Sequence, residues 1–172
     1  MDFLKLAQSR RSIRRFKDTD VTREQLTRLI EAAQAAPSAG NCQPWHFYII
    51  KNKALQDKLK DAAYQQGFIL YAPACIIVCT DSKRSEARYA ERGKHLYAIQ
   101  DTAAAVQNIL LCAKNMGIGT CWVGAFDESE VSRILNLPED LRPVAIIPVG
   151  WPDEAHKPQT RRAIDEIATF ID

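Results

Sequence analysis

Residues 95–116, HLYAIQDTAAAVQNILLCAKNM, are the stretch that most restricts the fold of this chain. Their apolar residues recur at the three- and four-residue spacing of an α-helix, and they cover two of its faces. One face holds Ile99, Ala103, Val106, Leu110 and Ala113, and the other holds Ala105, Ile109, Cys112 and Met116. Because a helix with two apolar faces has to be buried on two sides, the pattern predicts a long helix at the centre of the domain or at a contact between subunits.

Shorter elements are predicted on both sides of this helix. Capping residues and periodicity indicate helices at 22–36, 53–66, 127–137 and 163–171, and apolar runs indicate strands at 46–50, 74–80, 120–124 and 144–149. The run 74–80 is apolar without interruption, so we expect a strand that is buried on both faces. Pro148 places the end of the last strand at an edge or at its terminus. By pattern alone, strands that alternate with helices favour a parallel α/β sheet.

Length and composition indicate one soluble domain, which we assign to residues 1–172. The chain has 172 residues, of which 47% are hydrophobic and 26% charged, as in ordinary globular proteins. No apolar run reaches the ~18 residues that a membrane helix needs, and the N-terminus lacks the features of a signal peptide. We therefore expect a cytoplasmic protein that does not associate with membranes.

The net charge of +2 conceals two local concentrations of positive charge. Residues 10–17, RRSIRRFK, carry five basic side chains, and 157–162 carry three more. Without these eight of the 23 basic residues, 15 remain against 21 acidic ones, so the rest of the chain is acidic. This distribution favours a local anion site over a nucleic-acid-binding face, which would spread basic residues more widely.

The first basic segment suits a phosphate group. Guanidinium groups bind phosphate oxygens in pairs, and Ser12 can add a hydrogen bond. A solvated basic face or a nucleic-acid patch remains an alternative at this point. The segment 157–162 is a second candidate anion contact.

Two loops contain small residues that would let the backbone approach a ligand closely. The first, 36–47, carries Asn41 and Gln43, whose amides both donate and accept hydrogen bonds. The second, 117–126, begins with G-x-G but is not a dinucleotide fingerprint, because Trp122 stands where the third glycine is required. With no evident nucleophile, these segments indicate a bound cofactor that supplies the chemistry.

Cysteines and histidines show no metal-binding spacing. The five cysteines include no C-x-x-C pair, and the three histidines are far apart in the sequence. We predict no metal site, and we interpret the cysteines as core thiols in a reducing compartment.

Four segments together carry a family resemblance. They are RRSIRRF at 10–16, APSAGNCQPWHF at 36–47, GIGTCWVGAF at 117–126, and VAIIPVGWP with KPQTRR at 144–152 and 157–162. In this order they closely resemble the FMN-dependent nitroreductase family over essentially the whole chain. The resemblance implies an α+β fold, with a mixed, mostly antiparallel sheet wrapped by helices, in place of the parallel sheet. It also implies an obligate homodimer with the long helix at the interface, an exchanged C-terminal tail and two FMN sites.

The resemblance further implies which residues bind FMN. The phosphate and ring-edge contacts match Arg10, Arg11, Ser12 and Arg14, with Arg161 or Arg162 completing the phosphate site. The loop that reaches the flavin of the other subunit matches Pro37, Ser38, Ala39 and Asn41. A polar contact matches Gln66, and the ring face and dimethylbenzene side match Trp122, Val123 and Gly124. Many relatives place an arginine directly after Lys-Pro, whereas here two residues separate Lys-Pro from the arginine pair. Lys157 is therefore a further candidate for the phosphate contact.

The implied activity is the transfer of hydride from NADH or NADPH through FMN to a small-molecule acceptor: a nitroaromatic, a quinone or a flavin. This reaction needs no catalytic side chain of its own, and none is assigned. Alternatives are flavin fragmentation or reductive dehalogenation on the same fold, a non-enzymatic flavin carrier, and a nucleic-acid binder. Of these we favour the enzyme, with no nucleic-acid partner and with residues 81–98 as a substrate lid.

Overall fold

The computed structural model describes residues 2–155 and 159–171. Its helices are α1 Phe3–Ser9, α2 Arg23–Gln34, α3 Lys53–Ala62, α4 Phe68–Tyr71, α5 Ser82–Arg92, α6 Ala98–Asn115 and α7 Glu128–Leu135. Its strands are β1 Trp45–Ile50, β2 Ala74–Asp81, β3 Gly119–Thr120 and β4 Leu141–Gly150. Short turns of 3-10 helix lie at Ala39–Asn41 and Ile164–Glu166, and a π-helical turn at Gly93–Tyr97 joins α5 to α6. No helix among these residues is long and apolar enough to cross a membrane.

The four strands form one antiparallel sheet in the order β1-β2-β4-β3. Ile77 lies opposite Tyr48 on one side and Ile146 on the other. The α+β fold implied by the resemblance is confirmed, and the parallel sheet favoured by pattern alone is wrong. That pattern misled because an unbroken apolar strand reports burial on both faces, which helices can provide for an antiparallel strand as well.

Both faces of the sheet are covered by helices. On one face Ile76 and Val78 of β2 belong to a core cluster with Leu29 of α2 and Ile109 of α6. On the opposite face Ile77 belongs to a second cluster. This second cluster also contains Cys75, Cys79, Leu59 of α3, Val131 of α7 and Ile146 of β4. Alternate side chains of β2 therefore serve two cores, and its two cysteines lie on the same face, as the spacing predicts.

The long predicted helix is α6 together with the π-helical turn that precedes it. Ala105, Val106 and Ile109 are fully buried, since α6 packs on α2 and touches the sheet. Gln100 and Gln107 are exposed. One long side of α6 thus lies in the core of the chain, and whether the other side meets a second subunit stays a prediction.

The strands predicted at 120–124 and 144–149 have different limits in the structure: the first is shorter than predicted, and the second extends over Leu141–Gly150. Only Gly119–Thr120 forms a regular strand, and Val123 rejoins β4 through a single bridge to Ile146. Cys121 lies between these two contacts with β4 and faces Pro148. The Pro148 carbonyl accepts from the Cys121 N–H at 3.4 Å, but Pro148 has no N–H to donate in return. β4 is an interior strand, so Pro148 does not mark an edge, but it lies two residues before the end of β4 at Gly150, close to the predicted strand terminus.

Two predicted helices are shorter than their patterns indicate. The helix predicted at 53–66 ends at Ala62, because Tyr64 and Gln65 adopt left-handed backbone conformations with φ of 57° and 63°. The helix predicted at 163–171 is a single 3-10 turn at Ile164–Glu166. The side chains that follow this turn are exposed, including Phe170 at 84%. The tail packs little of its apolar surface within one chain.

Candidate functional site

The basic segment 10–16 lies between β3 and the residues that follow β4. The Ile13 N–H donates to the Thr120 carbonyl at 2.9 Å, and Phe16 forms an antiparallel bridge with Pro152. The Ile13 side chain is buried against Gly119, where an added Cβ would come within 2.9 Å of it. The segment is thus held by its apolar residues and its backbone.

A cavity of about 510 Å³ opens beside this segment. Its lining residues are Arg10, Arg11, Ser12, Ile13, Arg14, Glu154, Ala155, Gln159 and Arg161. The two basic segments, which are far apart in the sequence, therefore contribute arginines to one cavity. Arg162 does not line this cavity, since its guanidinium donates to the Glu166 carbonyl at 2.6 Å. Lys157 lies outside the described residues.

The cavity concentrates positive charge. Burial, followed by the charges of Arg161 and Arg11, lowers the pKa of Arg10. An anion placed among these guanidinium groups would stabilise the charged form of Arg10. Guanidinium groups together with a serine hydroxyl are also the donors that a phosphate monoester requires, so the residues present fit the phosphate end of FMN.

The ring-side candidates continue from this cavity. The Arg14 guanidinium carbon lies 5.7 Å from the centre of the Phe68 ring at the start of α4. Two residues earlier, the Gln66 amide donates to the carbonyls of Ala63 and Ala125, both at 2.9 Å. Gln66 thereby ties the end of α3 to the segment that follows Gly124.

Residues Trp122, Val123 and Gly124 differ in their exposure. Trp122 is 42% exposed, whereas Val123 is buried against the sheet through its bridge to Ile146. An added Cβ at Gly124 would meet nothing within 4 Å. The segment therefore offers an exposed aromatic ring and an open backbone to a ligand.

The loop with Pro37, Ser38, Ala39 and Asn41 is held from a different direction. The Ala39 N–H donates to both carboxylate oxygens of Asp101, each at 3.2 Å, and Arg88 donates to the Gly40 carbonyl at 2.7 Å. Ser38 accepts from the Gln43 N–H at 3.0 Å. Burial raises the pKa of the Asp101 carboxyl, against the opposing effect of its hydrogen bond from Ala39. α5 and α6 therefore position this loop.

One chain does not bring this loop to the arginine cavity. The loop is bound to Asp101 near the start of α6, whereas Lys114, near its end, lines a small cavity with Arg10 and Arg11. Lys114 is thirteen residues after Asp101 in the helix, a distance of roughly 20 Å along its axis. The predicted site residues thus fall into two groups, one at each end of α6.

Sequence reasoning did not identify three residues that hold these groups. Asp101 was detectable as a single acid inside an otherwise apolar helical pattern. Glu154 and Arg88 had no comparable signal, because their partners Arg14 and Gly40 are 140 and 48 residues away in the sequence. Among the described residues, no group of three or more His, Cys, Asp or Glu side chains could hold a metal ion.

Comparison with known proteins connects this geometry to a family. The model of the nitroreductase family matches residues 7–69 and 62–151. The chain belongs to the nitroreductase family. The family resemblance and the enzyme class inferred from it, an oxidoreductase, are therefore confirmed.

Relatives of the nitroreductase family match along most of their length. A protein of Methanothermobacter thermautotrophicus, provisionally named an NADH dehydrogenase/NAD(P)H nitroreductase, is 34% identical over 96% of this chain and 84% of its own. An "FMN reductase [NAD(P)H]" of Bacillus subtilis is 28% identical over 99% of this chain and 75% of its own. The crystal structure of a nitroreductase family protein from Streptococcus pneumoniae has a TM-score of 0.90 at 29% identity, covering 99% of this chain and all of the other.

Proposed function

We propose that this nitroreductase-family protein is a homodimeric oxidoreductase that binds FMN, takes hydride from NADH or NADPH, and reduces a small nitroaromatic, quinone or flavin acceptor. The observation that carries the proposal is the meeting of Arg10, Ser12, Arg14 and Arg161 at one cavity, although the basic segments are far apart in sequence. The names of relatives support FMN as the cofactor and NAD(P)H as the donor.

At the phosphate end, Arg10 and Arg161 supply paired N–H donors and Ser12 supplies a hydroxyl. These are charge-assisted hydrogen bonds, which are shorter and stronger than neutral ones. Since the rest of the chain is net acidic, local arginines rather than the overall field of the protein must attract the phosphate.

At the ring end, Gly124 leaves room for a flat ring and Trp122 offers an aromatic surface beside it. When bound, FMN supplies the hydride-accepting chemistry. Arg14, held over the Phe68 ring, places a positive charge on the same side of the site, where it would stabilise negative charge that grows on reduction. No side chain has to move a proton for hydride transfer, so we assign no catalytic residue.

A homodimer would bring together the two groups of predicted site residues, which lie at opposite ends of α6 within one chain. If α6 packs against its copy in the opposite direction, the Asp101 end of one helix approaches the Lys114 end of the other. The partner's loop, with Asn41 at its tip, would then complete the arginine cavity.

The C-terminal tail supports the same assembly. Its exposed apolar side chains are Ile164, Ile167, Phe170 and Ile171. The strand β1 is at the edge of the sheet, with one side unpaired among the described residues. An exchanged tail would bury apolar side chains that a single chain leaves in water.

Residues 81–98, which contain α5 and the π-helical turn, are proposed as the substrate lid. Arg84 donates to the Cys42 carbonyl at 2.8 Å and Arg88 to that of Gly40. The lid is thus joined to the loop that would reach the partner's flavin.

The deciding experiment is an absorption spectrum of the purified protein, followed by NADH and NADPH oxidation with a quinone or nitroaromatic. Flavin bands and acceptor-dependent oxidation are expected. A protein that binds flavin but oxidises neither nucleotide would be a flavin carrier. One that binds no added FMN would contradict the proposal altogether.

A further inference from the structure

We propose that Glu154 is a positioning residue of the phosphate site: its carboxylate holds the backbone that aims Arg10, Ser12 and Arg14 into one cavity. This inference rests on the proposed function, since it assigns a role within the FMN site.

The geometry at Glu154 is specific. One carboxylate oxygen, Oε1, accepts from the N–H of Arg14 at 2.6 Å and from the N–H of Arg15 at 3.2 Å. Two consecutive backbone N–H groups therefore converge on a single anionic acceptor, as they do in anion-binding backbone nests. Glu154 is also the acidic residue in the lining of the cavity, beside Arg10 and Arg161.

The remainder of the segment is already fixed on both sides of this contact. The Ile13 N–H donates to Thr120, and the Asp153 N–H donates to the Arg15 carbonyl at 2.9 Å. Between these points the Arg14 and Arg15 N–H groups have Glu154 as their acceptor. Both contacts are exposed, so without Glu154 the two N–H groups would bond to water, and the backbone that carries the Arg14 side chain would lose this attachment to the residues after β4.

The bond also places negative charge where the arginines repel one another. Arg10 lies close enough to Arg161 for their charges to oppose each other, and Glu154 lines the same cavity. Because Glu154 directs Oε1 to backbone donors, the guanidinium donors of Arg10 are left to face an incoming phosphate. Glu154 thus fixes the backbone of the site and leaves the arginine side chains available to bind the phosphate.

A neighbouring acid provides the matched control. Asp153 forms an ion pair with Arg15 at 3.7 Å, and both side chains are more than half exposed. Such exposed pairs contribute little to stability. Asp153→Asn removes one negative charge one residue away while leaving the Glu154 hydrogen bonds intact.

The test measures the dissociation constants of FMN and of riboflavin, which lacks the phosphate, by flavin fluorescence. Glu154→Ala should weaken FMN binding by about 10-fold or more and riboflavin binding by less than about 3-fold. Glu154→Gln, whose amide oxygen can accept the same two bonds, should bind FMN within about 3-fold of wild type. Asp153→Asn should match wild type for both flavins.

The outcomes separate this inference from the proposed function. Wild-type protein that binds no FMN would overturn both. Wild-type binding with an unchanged ratio of FMN to riboflavin affinity in Glu154→Ala would overturn the role of Glu154 alone, as would equal losses in Glu154→Ala and Glu154→Gln. If Glu154→Ala does not fold, Glu154→Asp replaces it, because the shorter side chain cannot reach both N–H groups, and the same ratio decides.

Discussion

The backbone N–H of Ala39 donates to the buried carboxylate of Asp101, and it lies 3.2 Å from each of the two oxygens. This contact joins the loop at 37–41 to the start of α6. Since the arginine cavity lies near the other end of α6, the same helix holds one half of each of the two proposed sites at a fixed separation. A rigid helix can set this distance more accurately than a loop can.

Asp101 should make stability depend on pH. Burial raises its pKa in the folded protein above the ordinary value of 3.8. Stability associated with this group is therefore fully present below pH ~3.8 and is lost as pH rises through the folded-state pKa. Asp101→Asn cannot titrate, so the free energy of unfolding of wild type relative to this variant should fall as pH increases from about 3.5 to 7. Urea unfolding of both proteins across this range measures it, and a constant difference would contradict it.

Gly40 should be required by the backbone of the same loop. Its φ is +54°, and an added Cβ would lie 2.5 Å from the Tyr89 hydroxyl oxygen and 2.7 Å from the Arg88 guanidinium. Gly40→Ala should destabilise the protein by about 1 kcal/mol or more, since a left-handed residue with a Cβ is strained. Gly124→Ala, which would meet nothing within 4 Å, is the control and should unfold within about 0.5 kcal/mol of wild type. Thermal or urea unfolding of both variants provides the comparison.

Arg10 should anchor the phosphate of FMN. Losing one charge-assisted hydrogen bond of about 1.5–3 kcal/mol should weaken FMN roughly 10- to 150-fold in Arg10→Ala. Riboflavin should bind wild type poorly and lose little further affinity in the variant. Arg15→Ala is the control, because the Arg15 side chain pairs with Asp153. Flavin fluorescence titrations of the three proteins measure the affinity for each flavin, and an unchanged FMN affinity in Arg10→Ala would remove this residue from the phosphate site.

Arg161 and Arg162 should contribute differently to FMN binding. Arg161 lines the cavity, whereas Arg162 lies 3.6 Å from the Glu166 carboxylate and donates to its carbonyl. Arg161→Ala should therefore lose FMN affinity by about 10-fold or more, and Arg162→Ala should stay close to wild type. Equilibrium dialysis with FMN ranks the two variants. The reverse order would mean that Arg162 turns toward the phosphate when the dimer forms.

Sequence reasoning could bring candidate side chains together where the determinants are local. Arg10, Ser12 and Arg14 lie within five residues, and their shared cavity follows from the spacing of a single segment. The contacts of Glu154 and Asp101 could not be found this way, because each joins segments that only the folded chain brings together. The antiparallel pairing of β2 was not predicted for a related reason. Its apolar run indicates that both faces of the strand are buried, but it does not indicate which strands pair with it or in which direction.

The last prediction tests whether each site draws on two chains. Arg10→Ala damages the cavity, and Asn41→Gly removes the loop amide while keeping a residue that tolerates its φ of 56°. Each homodimer of one variant contains only damaged sites. A mixed dimer, however, should contain one intact site, built from Arg10 of the Asn41→Gly chain and Asn41 of the Arg10→Ala chain.

Co-refolding equal amounts of the two variants should therefore restore high-affinity FMN binding at about a quarter of the wild-type number of sites, because half of the dimers are mixed. The measurement is the stoichiometry of tight FMN binding, with each variant refolded alone as the control. If the mixture binds no more FMN than the average of the two variants, the site lies within one chain. In that case the roughly 20 Å between the ends of α6 would have to be closed by movement of the loop rather than by a partner.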